Sequence, residues 1–313
     1  MPSIESRGSH LFIEKGETPV EDIGPYVDEG VEQALSLVRE RFERSPETKD
    51  NLPFHNVEHT QGVIRRTELV LAAIREAEPS LVSERDMALG RLAPAYHDTV
   101  QKWEEIRTVD GPFTKVMRRR FVRENERASA DEGVGYMEEV NSRDVLVFSE
   151  SDKAVFGEAI DATIPDWDPL NKTVFQPQLT EGSSLIARAV ALADLGTAGM
   201  DGPQAYTREG RAIFREDNLD VLAALQGRDR QAITGPQKEY FRSRMLAWLK
   251  FQPTFAKGRK ARLEAELSAI PERARPAVSA LFNKFDESIG AAEEVAKQAE
   301  AMNFEDLAAL MGY

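Results

Sequence analysis

Apolar residues recur at three- and four-residue spacing along almost the whole chain, and nowhere does a useful length of it alternate apolar with polar. A chain patterned in this way packs as helices, each burying one stripe. Residues 27–44 place Val31, Ala34, Leu35 and Val38 on one face, and residues 63–77 do the same with Val63, Leu69, Val70 and Ile74. Residues 83–96 form a third helix, with Ser83 or Glu84 at its start and Met87, Leu89, Leu92 and Ala95 along it. Segments 124–139, 153–163 and 182–195 continue the series, the last one alanine-rich and ending beside Asp194. The expected fold is all-α.

Breaks between these segments are equally legible. Asn51-Leu52-Pro53 interrupts the chain before a pair of histidines, Asp110-Gly111-Pro112 makes a turn, and residues 164–169 form a loop able to wall a pocket. Residues 196–202 read as a turn and 205–228 as mixed loop and helix. Residues 236–250 carry Tyr240, Phe241, Met245, Trp248 and Leu249, an aromatic stripe of the kind that usually builds core. Pro253 then marks a break, followed by the basic run Lys257, Arg259, Lys260 and Arg262 and two more helices. The expected organisation is a helical domain over residues 1–250 and a helical extension over residues 251–313, serving as a lid, a dimer surface or plain support.

Chemistry is concentrated in few residues. The chain has no cysteine and four histidines, so any transition-metal site must be built from nitrogen and oxygen. Three of the histidines fall in two short segments, Phe54-His55-Asn56-Val57-Glu58-His59 and Tyr96-His97-Asp98, and Asp194 follows in Leu192-Ala193-Asp194-Leu195-Gly196. On a helix, His55 and His59 would project from one face about a turn apart, able to meet one metal singly or together. Each residue alone is as readily a core or capping group; the constellation is what points to a metal. His10, beside Gly8 and Ser9, reads as a solvated loop histidine.

The order His, His-Asp, Asp resembles the HD-domain superfamily of metal-dependent phosphohydrolases. Phe54-His55-Asn56-x-x-His59-x-x-x-Val63 is similar to the entrance helix of its phosphodiesterase-like and small hydrolase members, and Asn125-Glu126-Arg127-Ala128-Ser129-Ala130 to a stretch following their His-Asp pair. The likeness spans roughly residues 50–200. It implies an HD-type helical bundle in which His59, His97, Asp98 and Asp194 hold one divalent metal ion (Mn, Fe, Ni, Co, Mg or Zn), with Asp98 also counted among the catalytic residues. It implies further that His55 contacts the scissile phosphate or protonates the leaving group, and that Glu126 orients the attacking water or acts as its base. No histidine lies between His97 and Asp194, which favours a single metal over the paired metals of oxidative relatives. The continuation Thr99-Val100-Gln101 departs from the cyclic-nucleotide phosphodiesterases.

The expected activity is hydrolysis of a phosphomonoester or phosphodiester of a small molecule, a nucleotide before others. The alternative is a non-catalytic nucleotide-sensing or scaffold protein that keeps the metal pocket. Substrate contacts are expected from Gln101, Arg119 and Arg123, the last two sharing a helix face within the basic cluster Lys115, Arg118, Arg119, Arg120 and Arg123. The same cations, and Arg65 and Arg66, would serve equally as a solvated face paired with nearby acids.

Composition sets the outer limits. With 313 residues, 41% apolar and 30% charged, the chain can bury one large core or two modest ones. A net charge of −14 works against nucleic-acid and anionic-membrane partners. No run approaches the eighteen or so apolar residues of a membrane span, and the first residues lack the apolar core of a signal peptide, so a cytoplasmic location is expected. Homo-oligomerisation is left open.

Overall fold

Short polar side chains set the ends of the helices. The computed structural model describes residues 20–143, 146–226 and 233–313; His10 lies outside them. Helix α1 (Gly24–Val38) opens on Pro25 and runs into a wider π-type turn over Arg39–Glu43. Helix α2 (Val57–Ala77) is capped by the Asn56 side chain, and α3 (Glu84–Tyr96) by a reciprocal Ser83–Asp86 capping box. Helix α4 (Glu124–Ser142) follows, then α5 (Glu150–Asp161), which repeats the box with Ser149 and Asp152, and α6 (Leu185–Asp194), capped by Ser184. Each cap satisfies backbone N–H groups that have no helical partner, a contribution of about 1 kcal/mol.

These helices share one core, in which Val27, Leu71, Ile74, Leu92, Met137 and Phe156 are fully buried. Leu69, expected on the core side of α2, is 41% exposed, because Val63, Val70 and Ile74 define the buried stripe and Leu69 falls one position off it. The later chain adds α7 (Thr197–Met200), α8 (Pro203–Asp217), α9 (Leu219–Gln226), α10 (Gly235–Leu267), α11 (Arg275–Leu281), α12 (Phe285–Glu300) and α13 (Phe304–Met311). Phe214, Phe241, Met245, Leu249, Leu307 and Met311 form a second core among these elements. No helix among the described residues is long and apolar enough to cross a membrane.

The chain is predominantly helical but not all-α. Strands β1 (Trp103–Asp110) and β2 (Phe113–Arg120) pair antiparallel, Trp103 opposite Arg120 and Asp110 opposite Phe113; β3 (Asp166–Asp168) and β4 (Thr173–Phe175) form a second, shorter hairpin. The first was obscured by charge on both faces, as in the opposed pair Glu104 and Arg119. Its turn was visible: Gly111 takes φ +58°, which a glycine adopts without strain. The cations expected on a helix therefore alternate on a strand, so that Arg118 is buried and Arg119 points outward.

Two other readings need correction. Residues 196–202 contain the short helix α7. Pro253 breaks nothing: α10 runs through it for 33 residues. An interior proline costs a helix about 3 kcal/mol, and burial of Leu249 before it and Ala256 after it offsets that loss. The helix accordingly crosses position 250/251 without interruption.

Candidate metal centre

The Asn56 side chain accepts from the backbone N–H of His59 at 2.9 Å and donates to the Pro53 carbonyl at 2.8 Å. It thereby starts α2 and sets His59 in the first turn. Both ring nitrogens of His59 are buried without a hydrogen-bond partner among the described residues.

His97 stands at the end of α3, where its Nδ1 lies 2.7 Å from the Pro94 carbonyl. That contact keeps a proton on Nδ1 and turns Nε2 inward. Nε2 faces Asp98 Oδ2 at 2.9 Å and Asp194 Oδ1 at 3.6 Å. Asp194 ends α6, with Oδ1 3.4 Å from His59 Nε2. Arg66, buried in α2, donates from Nε to the Ala193 carbonyl at 2.6 Å and pairs with Asp201 at 2.5 Å, which pins the end of α6 that presents Asp194. Arg65 and Arg66 thus tie helices together.

Donor atoms of His59, His97 and Asp98 all lie within 4.8 Å of one another. Burial opposes a proton on His97, but the carboxylates of Asp98 and Asp194 override it and carry its pKa well above the usual range. Burial likewise pushes Asp98 and Asp194 up, and the histidines more than reverse it, holding both below the ordinary carboxylate range. Positive charge between these carboxylates and imidazole nitrogens is favoured, whether carried by a proton on His97 or by a cation. Nitrogen and oxygen donors in this arrangement fit a divalent cation, and this buried cluster is able to chelate one.

Beside it lies a second cluster that the sequence only half disclosed. His55 is buried, its Nδ1 2.5 Å from Glu216 Oε1 and its Nε2 against the Arg120 guanidinium. Glu216 Oε2 accepts from the backbone N–H groups of Phe54 at 3.1 Å and His55 at 3.2 Å. Burial lowers the His55 pKa and Arg120 adds to this, against the opposing pull of Glu216. His55 is consequently neutral, with its proton on Nδ1 and an acceptor facing Arg120. Burial raises Glu216 in turn, and His55, Arg120 and Arg118 outweigh it, bringing it to about 2. Glu216 lies in α8, 161 residues from His55, and its own neighbours Arg215 and Asp217 give no signal of the role.

Glu126, at the start of α4, lines the same cavity. Its Oε2 accepts from the backbone N–H of Arg123 at 2.5 Å, and burial raises its pKa against that bond. Arg123 sits at φ 77°, a left-handed conformation uncommon outside glycine. The neighbours of Glu126 in its motif are structural: Asn125 brackets the backbone of Lys102 at 2.9 and 3.0 Å, and Ser129 Oγ accepts from Val100 N–H at 3.0 Å. They fix the chain leaving the His-Asp pair.

The other expected contacts fall differently. Gln101 is buried behind Asp98, donating to Oδ1 at 2.7 Å, with its own oxygen 3.4 Å from Arg120. Arg119 is exposed and paired with Glu104; Arg123 is exposed as well, and neither lines the cavity. Of the basic cluster, the cation that does reach it is Arg120, which the sequence did not single out.

The cavity measures about 330 Å³, near the small end of ligand pockets, which run roughly 300–1,000 Å³. The histidines, Asp98, Asp194, Glu126 and Arg120 form its polar floor; its wall is aromatic, built from Trp167 of β3 and Trp248, Phe251 and Phe255 of α10. Comparison with family models, with characterised proteins and with solved structures finds no match to this chain.

Proposed function

We propose that the protein is a metal-dependent phosphohydrolase of small phosphoesters, of the HD type, with a nucleotide the first substrate class to test. The observation that supports this most directly is the buried set His59, His97 and Asp98, with the partly buried Asp194, beside Arg120 and Glu126 in one small cavity. The four side chains would hold a single divalent cation. When bound, such a cation supplies an acidified water for attack on phosphorus and positive charge for a phosphoryl oxygen.

The remaining residues take separate parts. Arg120 offers guanidinium N–H groups to the phosphoryl oxygens, where a charge-assisted bond is strongest in a water-poor site. His55, oriented by Glu216, holds Arg120 at the cavity; once Arg120 turns to the phosphate, the vacated Nε2 of His55 would take the proton released by the attacking water and return it to the departing oxygen. Glu126 has one carboxyl oxygen tied to the Arg123 N–H and the other free to orient a water. Gln101 fixes the rotamer of Asp98.

Elemental analysis of the untreated protein, run with phosphate release from a nucleotide panel with and without added Mn²⁺, tests the proposal. About one metal per chain with metal-dependent release is the expected result. Bound metal without turnover of any phosphoester would transfer the pocket to the sensing or scaffold role.

A further inference from the structure

The cavity's uncommitted positive charge lies at one end only. Among the described residues its cationic lining consists of Arg120 and Arg259. Arg259 is 3% exposed, and its guanidinium is taken up by the Val174 carbonyl at 2.8 Å and by Glu266 at 2.9 and 2.7 Å. Arg120 makes no salt bridge within 4 Å among the described residues; its guanidinium meets only the neutral partners His55 and Gln101, with the charge of Glu216 beyond them, and it lines the cavity where a ligand phosphate can reach it. Glu209, on the wall, has no cation within that distance among the described residues. A second or third phosphate reaching past the floor would meet Glu209 and aromatic rings, with no guanidinium left to pair it.

The wall is tied down by side-chain contacts. Trp248 donates from Nε1 to the Gly210 carbonyl at 2.7 Å, and the Phe251 ring centroid lies 6.1 Å from those of Trp248, Trp167 and Phe255. Trp167 is 47% exposed at the rim, an aromatic surface left unburied by the fold. The β3–β4 hairpin that carries it is held by Arg262, paired with Asp168 and set 4.6 Å from the Phe175 ring, and by its close approach to Gly258.

Resting on the phosphohydrolase reading, we infer that the substrate has a single phosphoryl centre on an uncharged, flat, ring-bearing body, and that nucleoside di- and triphosphates are rejected. Stacking on aromatic side chains rewards a ring and is indifferent to its substituents, whereas an unpaired anion beside Glu209 is repelled.

Steady-state kinetics with Mn²⁺ in excess over all ligands would compare 1-naphthyl phosphate with glycerol 2-phosphate, and AMP with ADP and ATP. The expected kcat/KM is at least about tenfold higher for the ring of the first pair and for AMP in the second, and Glu209→Gln narrows the gap between AMP and ATP. In the metal-free protein, adenosine should quench tryptophan fluorescence with saturation, and less so in Trp248→Phe. Turnover without preference for rings or single phosphates overturns the inference and leaves the hydrolase reading standing. Saturable quenching by adenosine but not by ATP, with no ester hydrolysed, upholds the compartment and removes the hydrolase. Absence of saturable quenching overturns the compartment directly.

Discussion

The floor and the wall of the cavity are built from different kinds of residue. On the floor, His59, His97, Asp98 and Asp194 are scarce or ionisable side chains, and three of their imidazole nitrogens are buried without a hydrogen-bond partner among the described residues, in a cluster able to chelate a cation. On the wall, Trp167, Trp248 and Phe251 are ordinary core-forming residues that acquire a use only because a hairpin and a long helix leave them uncovered. The chemistry of a site is thus carried by residue type, and its selectivity by where common residues happen to remain exposed.

The difference predicts how substitutions divide. His97→Ala or Asp98→Ala should abolish bound metal by elemental analysis, and with it turnover, because each removes a donor from a buried set; metal retained in Asp98→Ala would break the ligand assignment. Glu216→Gln should keep the metal and lower kcat by about 10²-fold, the lower range for a positioned acid–base group, since His55 loses its orienting charge. On the wall, Gly258→Ala would bring a Cβ within 2.2 Å of the Asn171 carbonyl and push the β3–β4 hairpin outward. The expected signature is a raised KM for ring-bearing substrates with metal content unchanged, and a loss of about 1–3 kcal/mol in stability.

Smaller effects separate the floor from what lies behind it. Burial, aided by Glu216, raises Asp217 from 3.8 to about 6. A carboxyl raised on folding binds more protons in the native state, so its contribution is full below pH 3.8 and is lost as pH rises through 6. Asp217→Asn should therefore flatten the stability profile across that window and stabilise the protein at pH 7 by about 2–3 kcal/mol, read by urea denaturation. Smallest of all is Arg119→Ala. Its exposed pair with Glu104 predicts a change within about 0.5 kcal/mol and unaltered kinetics, whereas Arg120→Ala should raise KM.

Much of the floor is legible in the sequence. His59, His97 and Asp98 converge as the family resemblance implied, Asp194 approaches them, and Ser83 starts its helix where the capping pattern placed it; His55, expected on one helix face with His59, instead precedes α2 and stands outside the cluster. Arg120 was visible only as one cation among five, because choosing it requires knowing that residues 113–120 are a strand and not a helix. Glu216 gave no local signal, and its partner lies 161 residues away. The hairpins escaped periodicity for distinct reasons: β1 and β2 are charged on both faces, and β3 and β4 are three residues each, too short to establish a period.

Sequence alone determined the helical character of most of the chain, the starts of α3 and α4 and the nitrogen-and-oxygen nature of its donor set, since propensity, capping and ligand chemistry act within a few residues. Tertiary structure alone decided that Glu216 orients His55, that Arg120 and not Arg119 faces the cavity, and that α10 passes straight through Pro253 to line it. Those outcomes depend on burial and on contacts between distant segments, and the energy of either exists only once the helices have packed.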